Sequence, residues 1–219
     1  NRNALHRGLI TMAASLRHPD HAVMARERVA GLLLAGGYSR RMGRDKAGMF
    51  YHGRAQLHHA FDLLRSLTKT CYVAIREDQL AESHRSTLPC LIDAADVAGP
   101  AAGLLAAQQR YPDTSWLLLA CDMPLINRAM LQALLSTAKS DLQAEVIAYA
   151  AADGRIEPLC SLWRPASKVC LQREAMTSRI GLRHIAEQLR IRLLQPSEPG
   201  LLVNANTPDE SAAILSQLQ

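Results

Sequence analysis

LLLAGGYSRRMGRDKAG, residues Leu32–Gly48, is an apolar run that stops at two glycines and gives way to a basic cluster. An uninterrupted apolar stretch bounded by glycine reads as a strand buried on both faces. Gly36 and Gly37 leave backbone N–H groups open to oxygens that a Cβ would hold off. Arg40 and Arg41 can fork onto phosphate oxygens, and Lys46 offers one of them a compact charge. A buried strand that delivers a bare loop and fixed positive charge suits a polyphosphate. The spacing is neither of the two common phosphate fingerprints. There is no G-x-G-x-x-G, and Gly43 is followed by Arg44 and Asp45 rather than by Lys-Ser/Thr.

Outward from this stretch, apolar segments alternate with helical patterns. VAGLLLA from Val29, CYVAI from Cys71, PCLID from Pro89 and SWLLLAC from Ser115 read as strands. LHHAFDLLRSL from Leu57, AAGLLAAQQRY from Ala101 and NRAMLQALLSTAK from Asn127 read as helices between and after them. This βαβ rhythm predicts a mostly parallel sheet with helices on both faces. The rhythm changes after Glu145, where Asp153-Gly154 separates two strand-like runs and predicts a hairpin, hence one antiparallel strand. Two helical segments follow, at 166–175 and 181–189, then IRLLQ, a turn-rich PSEPG, LLVN and a closing helix from Pro208.

At 219 residues the chain is long enough for one well-packed α/β domain. The net charge of +5 is uneven: residues 1–30 hold five arginines against Asp20 and Glu27, which leaves only +2 for the rest. Residues 1–28 are expected to form a basic, flexible extension ahead of a domain spanning 29–219. No aromatic residues interleave with those charges, so nucleic acid is not an expected partner, and no apolar run approaches the ~20 residues of a membrane span. The extension lacks the continuous apolar core of a secretory signal. The five cysteines, with no close pair, fit reduced thiols in a cytoplasm rather than a zinc or disulfide framework.

Three further stretches could carry chemistry. In DAADVAGPAAGL, from Asp93, an acidic loop leads to Gly99-Pro100 and a helix N-terminus that can meet an anion or a base edge. The same residues also suit an ordinary strand–turn–helix connection. In LLLACDMPLI, Asp122 stands at the carboxyl end of a strand, where open α/β sheets gather ligands and where one carboxylate plus substrate phosphates can hold Mg²⁺. The plainer alternative is a helix cap. In VNANTPDE, Asn206-Thr207-Pro208 is a sound helix start, whereas Asn204 has no capping role to fill. His58 and His59 read as helix residues without a partner at ligand spacing.

Together these stretches resemble the molybdenum cofactor guanylyltransferases, whose first loop follows L-A-G-G-x-S-x-R-M-G-x-D-K. DVAGPAAGL, CDMPLI and NANTPDE are similar to that family's later motifs and fall in its order, from about Val29 to Glu210. The resemblance implies a Rossmann-like three-layer nucleotidyltransferase fold and transfer of GMP from GTP to molybdopterin, with Mg²⁺ and release of pyrophosphate. It implies that Leu34, Ala35, Gly36 and Gly37 line the guanine and ribose, with Gly99 and Pro100 also on the nucleotide. It assigns Arg41 and Lys46 to the triphosphate, Asp96 to the nucleoside and Asp122 to the metal, with Arg41, Lys46 and Asp122 as the catalytic set. Asn204 and Asn206 would order the acceptor, which is molybdopterin or the molybdenum cofactor, and other cofactor-biosynthesis proteins are expected partners. The LAGG form favours guanine, since cytidylyl relatives tend to carry LAAG. Two positions depart from the pattern. Gln56 replaces a usual proline, and IREDQ replaces an Asn-rich stretch, so Arg76 or Asp78 would take over a base or ribose contact. A cytidylyltransferase, a sugar-phosphate nucleotidyltransferase and a non-catalytic cofactor scaffold are the rival readings.

Overall fold

The computed structural model describes residues 27–37, 45–95, 97–175, 181–198 and 200–218. Most of the N-terminal extension, Arg41 and Asp96 therefore lie outside the described residues. Seven strands form one sheet in the order β3-β2-β1-β4-β6-β5-β7. They are β1 (Arg28–Leu34), β2 (Cys71–Ile75), β3 (Cys90–Ile92), β4 (Thr114–Ala120), β5 (Val146–Ala150), β6 (Ile156–Trp163) and β7 (Ile191–Leu194). All pairings are parallel except those of β6, which runs antiparallel to both β4 and β5. The Asp153-Gly154 hairpin supplies that reversal, closed by Ala151 N–H donating to the Arg155 carbonyl at 2.8 Å.

Helices cover both faces, and the strands show why. Within β1, Leu33 packs into one core and Leu32 into the other; in β4, Leu117 and Leu119 alternate in the same way with Trp116 and Leu118. Successive side chains point to opposite faces, so a strand apolar at every position must be covered twice. On one face lie α1 (Gln56–Arg65) and α3 (Arg128–Ser140). On the other lie α2 (Pro100–Arg110), α4 (Lys168–Ala175) and α5 (Leu182–Glu187). In α1 the buried positions Leu57, Ala60, Phe61 and Leu64 make a single helical stripe. Gln56, at the usual proline position, still opens this helix, because its N–H donates to the Met49 carbonyl at 2.7 Å. The closing helix α6 (Pro208–Gln217) carries the expected signature, with Thr207 and Glu210 forming a reciprocal capping box. It anchors a small third cluster through Ile214 and the 2.9 Å bond from Tyr51 Oη–H to Ser211 Oγ.

Gly103 fixes how closely α2 approaches the sheet. A Cβ there would stand 2.6 Å from Ala74 Cβ and 2.9 Å from Leu34 Cδ2, closer than packed atoms allow. The helix therefore lies against the carboxyl ends of β1 and β2 only because that position is bare.

The opposite edge of the sheet is held by a buried arginine. Arg164 Nε donates to Glu27 Oε1 at 2.9 Å, and Arg164 Nη1 donates to the Asp141 and Ala144 carbonyls at 2.9 and 2.8 Å. Arg164 also donates to the Ala138 carbonyl near the end of α3, and Ser115 donates to Glu27. Glu27 and Arg28 are thus part of this folded unit. Deleting residues 1–26 is expected to leave the melting transition intact. Extending the deletion to Glu27 strips a buried guanidinium of its only carboxylate among the described residues, a class of change that costs about 3–5 kcal/mol. Thermal melts of the two truncations check this.

Candidate active site

The carboxyl ends of β1 and β4 are neighbours, yet the chain leaves them in opposite directions across the sheet, β1 toward β2 and β3, β4 toward β6. Such a switch point opens a crevice. Here it is a cavity of about 720 Å³, floored by the ends of β1, β2, β3 and β4 and walled by the start of α2. Of the residues that the sequence assigned to the nucleotide, Leu34, Ala35, Gly36, Gly37, Lys46, Gly99, Pro100 and Asp122 all line it.

Lys46 sits in a short 3₁₀ turn, Lys46–Gly48, whose first N–H groups are capped by Asp45: Ala47 N–H donates to Asp45 Oδ1 at 3.2 Å. The turn aims the ammonium at two other elements. Lys46 Nζ donates to Asp122 Oδ2 at 2.9 Å and to Asn206 Oδ1 at 2.6 Å. Ala205 N–H in turn donates to the Asp122 carbonyl at 2.8 Å, which sets Asn204 and Asn206 on either side of that tether. Residues 76 and 160 positions apart from Lys46 meet at one ammonium.

The capping alternative for Asp122 fails. Asn127 caps α3, accepting from Met130 N–H at 3.1 Å, so the carboxylate at the end of β4 is not consumed by a helix start. Instead Asp122 Oδ1 is buried without a hydrogen-bond partner, and so is Asn204 Oδ1. Buried oxygens are almost always satisfied, and two hard oxygen acceptors left open, Asp122 on the cavity wall and Asn204 in the segment tethered to it, fit a Mg²⁺ ion. Among the described residues no group of three or more His, Cys, Asp or Glu side chains gathers to hold a metal. Any ion here would rely on one carboxylate, amide oxygens and its substrate. The loop carrying Asp122 is also braced from outside, by His52 Nε2 donating to the Pro124 carbonyl at 2.9 Å.

Three side chains escaped the sequence reading or gained a different role. Asp93 lies one residue beyond β3 on the cavity wall, as Asp122 lies two beyond β4, and that shared strand-end rule could have singled it out. A Cβ on Gly36 would stand 2.5 Å from Asp93 Oδ2, so a side chain there would push this carboxylate out of its present position. Burial lifts the Asp93 carboxyl to about 6, against the pull of nearby Arg76. Arg76 does line the cavity, but its guanidinium is forked onto Asp78 at 2.9 Å and donates to the Gly36 carbonyl, so it shapes the loop. Arg85 had no sequence signal at all. It is fully buried and donates to the Ala35 carbonyl and to Asp45, whose carboxyl burial would raise; the Arg85 bond and the Ala47 N–H outweigh that and hold it below its ordinary value.

Residues 31–193 match the family model described as the MobA-like NTP transferase domain. The chain belongs to that family. Among MobA-like relatives, a molybdenum cofactor guanylyltransferase of Rhizobium johnstonii is 32% identical over 199 residues, covering 84% of this chain and 90% of the relative. One from Rhodopseudomonas palustris is 34% identical over 191 residues, 83% and 88% of the two chains. A molybdenum cofactor biosynthesis bifunctional protein of Synechocystis is 35% identical, but the alignment spans 84% of this chain and only 53% of that longer protein. The solved molybdopterin-guanine dinucleotide biosynthesis protein A of Archaeoglobus fulgidus superposes with a TM-score of 0.73 at 19% identity, over 86% and 97% of the chains. That likeness confirms the MobA-like nucleotidyltransferase fold. No helix among the described residues is long and apolar enough to cross a membrane.

Proposed function

We propose that this chain transfers GMP from GTP to the terminal phosphate of molybdopterin, or of its metal-loaded form, and releases pyrophosphate. The observation that carries the reading is the convergence of Lys46, Asp122 and Asn206 at the rim of a nucleotide-sized cavity on the β1/β4 switch point. The relatives named molybdenum cofactor guanylyltransferases support it.

Nucleotidyl transfer needs no side-chain nucleophile, since the acceptor phosphate itself attacks the α-phosphorus in line with the departing pyrophosphate. The protein positions groups and meets developing charge. The cavity-lining backbone of Gly36 and Gly37 receives phosphate oxygens, while Lys46, joined by Arg41, meets the charge that builds on the leaving group. Asp122 and Asn204 would hold Mg²⁺, which when bound neutralises phosphate oxygens and fixes their geometry. Asn206 keeps Lys46 aimed and, with Asn204, faces the acceptor. Asp93 lines the cavity wall, and its two oxygens suit the adjacent N1–H and N2–H donors of guanine. Cytosine offers one exocyclic donor group and no ring N–H, so this carboxylate favours the guanylyl reading over its cytidylyl rival.

The sign of the pH dependence follows. The folded-state value of Asp93, about 6, lies above its ordinary 3.8. Its contribution to stability is therefore full below the lower value and is lost as pH rises through the higher one. Ionisation is what the base donors require, so GTP affinity is expected to rise between pH 5 and 7, and Asp93→Asn to flatten that rise. Isothermal titration across this range checks it. The reading as a whole is tested by thermal stabilisation with Mg²⁺ and GTP, CTP or UTP, because a ligand that binds only the folded state raises its melting point. GTP should give the largest shift. A larger shift with CTP would overturn the guanine assignment.

A further inference from the structure

We propose that Arg85, outside the cavity, is a positioning residue that clasps both ends of the phosphate loop and so sets the aim of Lys46. The inference rests on the nucleotidyl-transfer reading of that loop. Arg85 lies between β2 and β3, and its side chain is 1% exposed. Arg85 Nη2 donates to the Ala35 carbonyl at 3.1 Å, directly after β1, where the loop begins. The same guanidinium forks onto Asp45, Nη1 to Oδ2 at 2.6 Å and Nη2 to Oδ1 at 3.1 Å, where the loop ends. A fourth bond ties Nη1 to Glu82, one turn back on its own segment.

Each contact has a mechanical consequence. Asp45 Oδ1 also caps the turn that begins with Lys46, so the arginine fixes the acid, the acid fixes the turn, and the turn points the ammonium at Asp122 and Asn206. Ala35 and Asp45 both line the cavity, whereas Arg85 does not. Its influence on a ligand must therefore pass through them. A buried guanidinium is costly unless its donors are matched, and here four bonds go to the loop ends and to Glu82 while Nε remains without a partner. Packing alone would be served better by an apolar side chain. A planar fork can bridge a carbonyl and both oxygens of a carboxylate at once, which a lysine cannot do.

The test uses inorganic triphosphate as probe, since it needs the loop but no base, alongside steady-state turnover with GTP. Arg85→Lys keeps the charge and breaks the fork; Asp45→Asn keeps Arg85 in place and breaks the same contact from its more exposed side. Both are expected to weaken triphosphate binding at least tenfold at temperatures where circular dichroism shows full folding. The double variant should be no weaker than the worse single, because both remove one contact. Arg164→Lys, at the opposite edge of the sheet, should lower the melting point and leave triphosphate affinity unchanged. Parent-like triphosphate affinity in folded Arg85→Lys and Asp45→Asn would overturn the positioning role and leave the functional reading standing. A parent that binds neither triphosphate nor any nucleotide would overturn both.

Discussion

Asp122→Asn is expected to lower turnover by about 10²-fold or more, the scale of losing one preorganised charge-stabilising group. The substitution keeps the shape and an acceptor for Lys46 but removes the charge beside the unpartnered Oδ1. Because Asp122 is not a helix cap, folding should change by no more than ~1 kcal/mol, a shift of roughly 2–4 °C for a chain of this size. GTP should still bind through the loop, yet its affinity should stop responding to Mg²⁺. A Mg²⁺ titration of GTP binding, run beside pyrophosphate release, separates these outcomes. A variant that keeps the parent's Mg²⁺ response and rate would move the metal away from Asp122.

Lys46→Ala should be comparably severe, with turnover down about 10²-fold. The ammonium joins Asp122 and Asn206, so its loss removes the charge meant for the departing pyrophosphate and frees two residues it had aligned. Stability should move less than turnover, because Lys46 begins a short turn and contributes no apolar core. GTP affinity is expected to fall as well, unlike in the Asp122 variant. Equal turnover by parent and Lys46→Ala would remove this lysine from the phosphate site.

The strands were legible because a sheet covered on both faces demands apolar residues at every position, as LLL and WLLLA supply. The one reversal was legible because Asp153-Gly154 makes a hairpin by local chemistry alone. Asp122 and Lys46 were legible for a related reason: loop position follows from the strand before it. What sequence reasoning could not reach depends on partners far apart in the chain. Asp93 obeys the strand-end rule and could have been singled out, but its fit beside Gly36 and Gly103 depends on how closely three elements approach. Arg85, alone in the run ESHRSTLP, takes its meaning from Ala35 and Asp45. Glu27 reads as part of a basic extension until Arg164, 137 positions later, is seen to hold it.

The most direct measurement is product formation by the purified chain with Mg²⁺, molybdopterin and either GTP or CTP. The account predicts pyrophosphate in step with a molybdopterin-guanine dinucleotide when GTP is supplied, and little product with CTP. Turnover with CTP but not GTP, or no pyrophosphate with either, would contradict it.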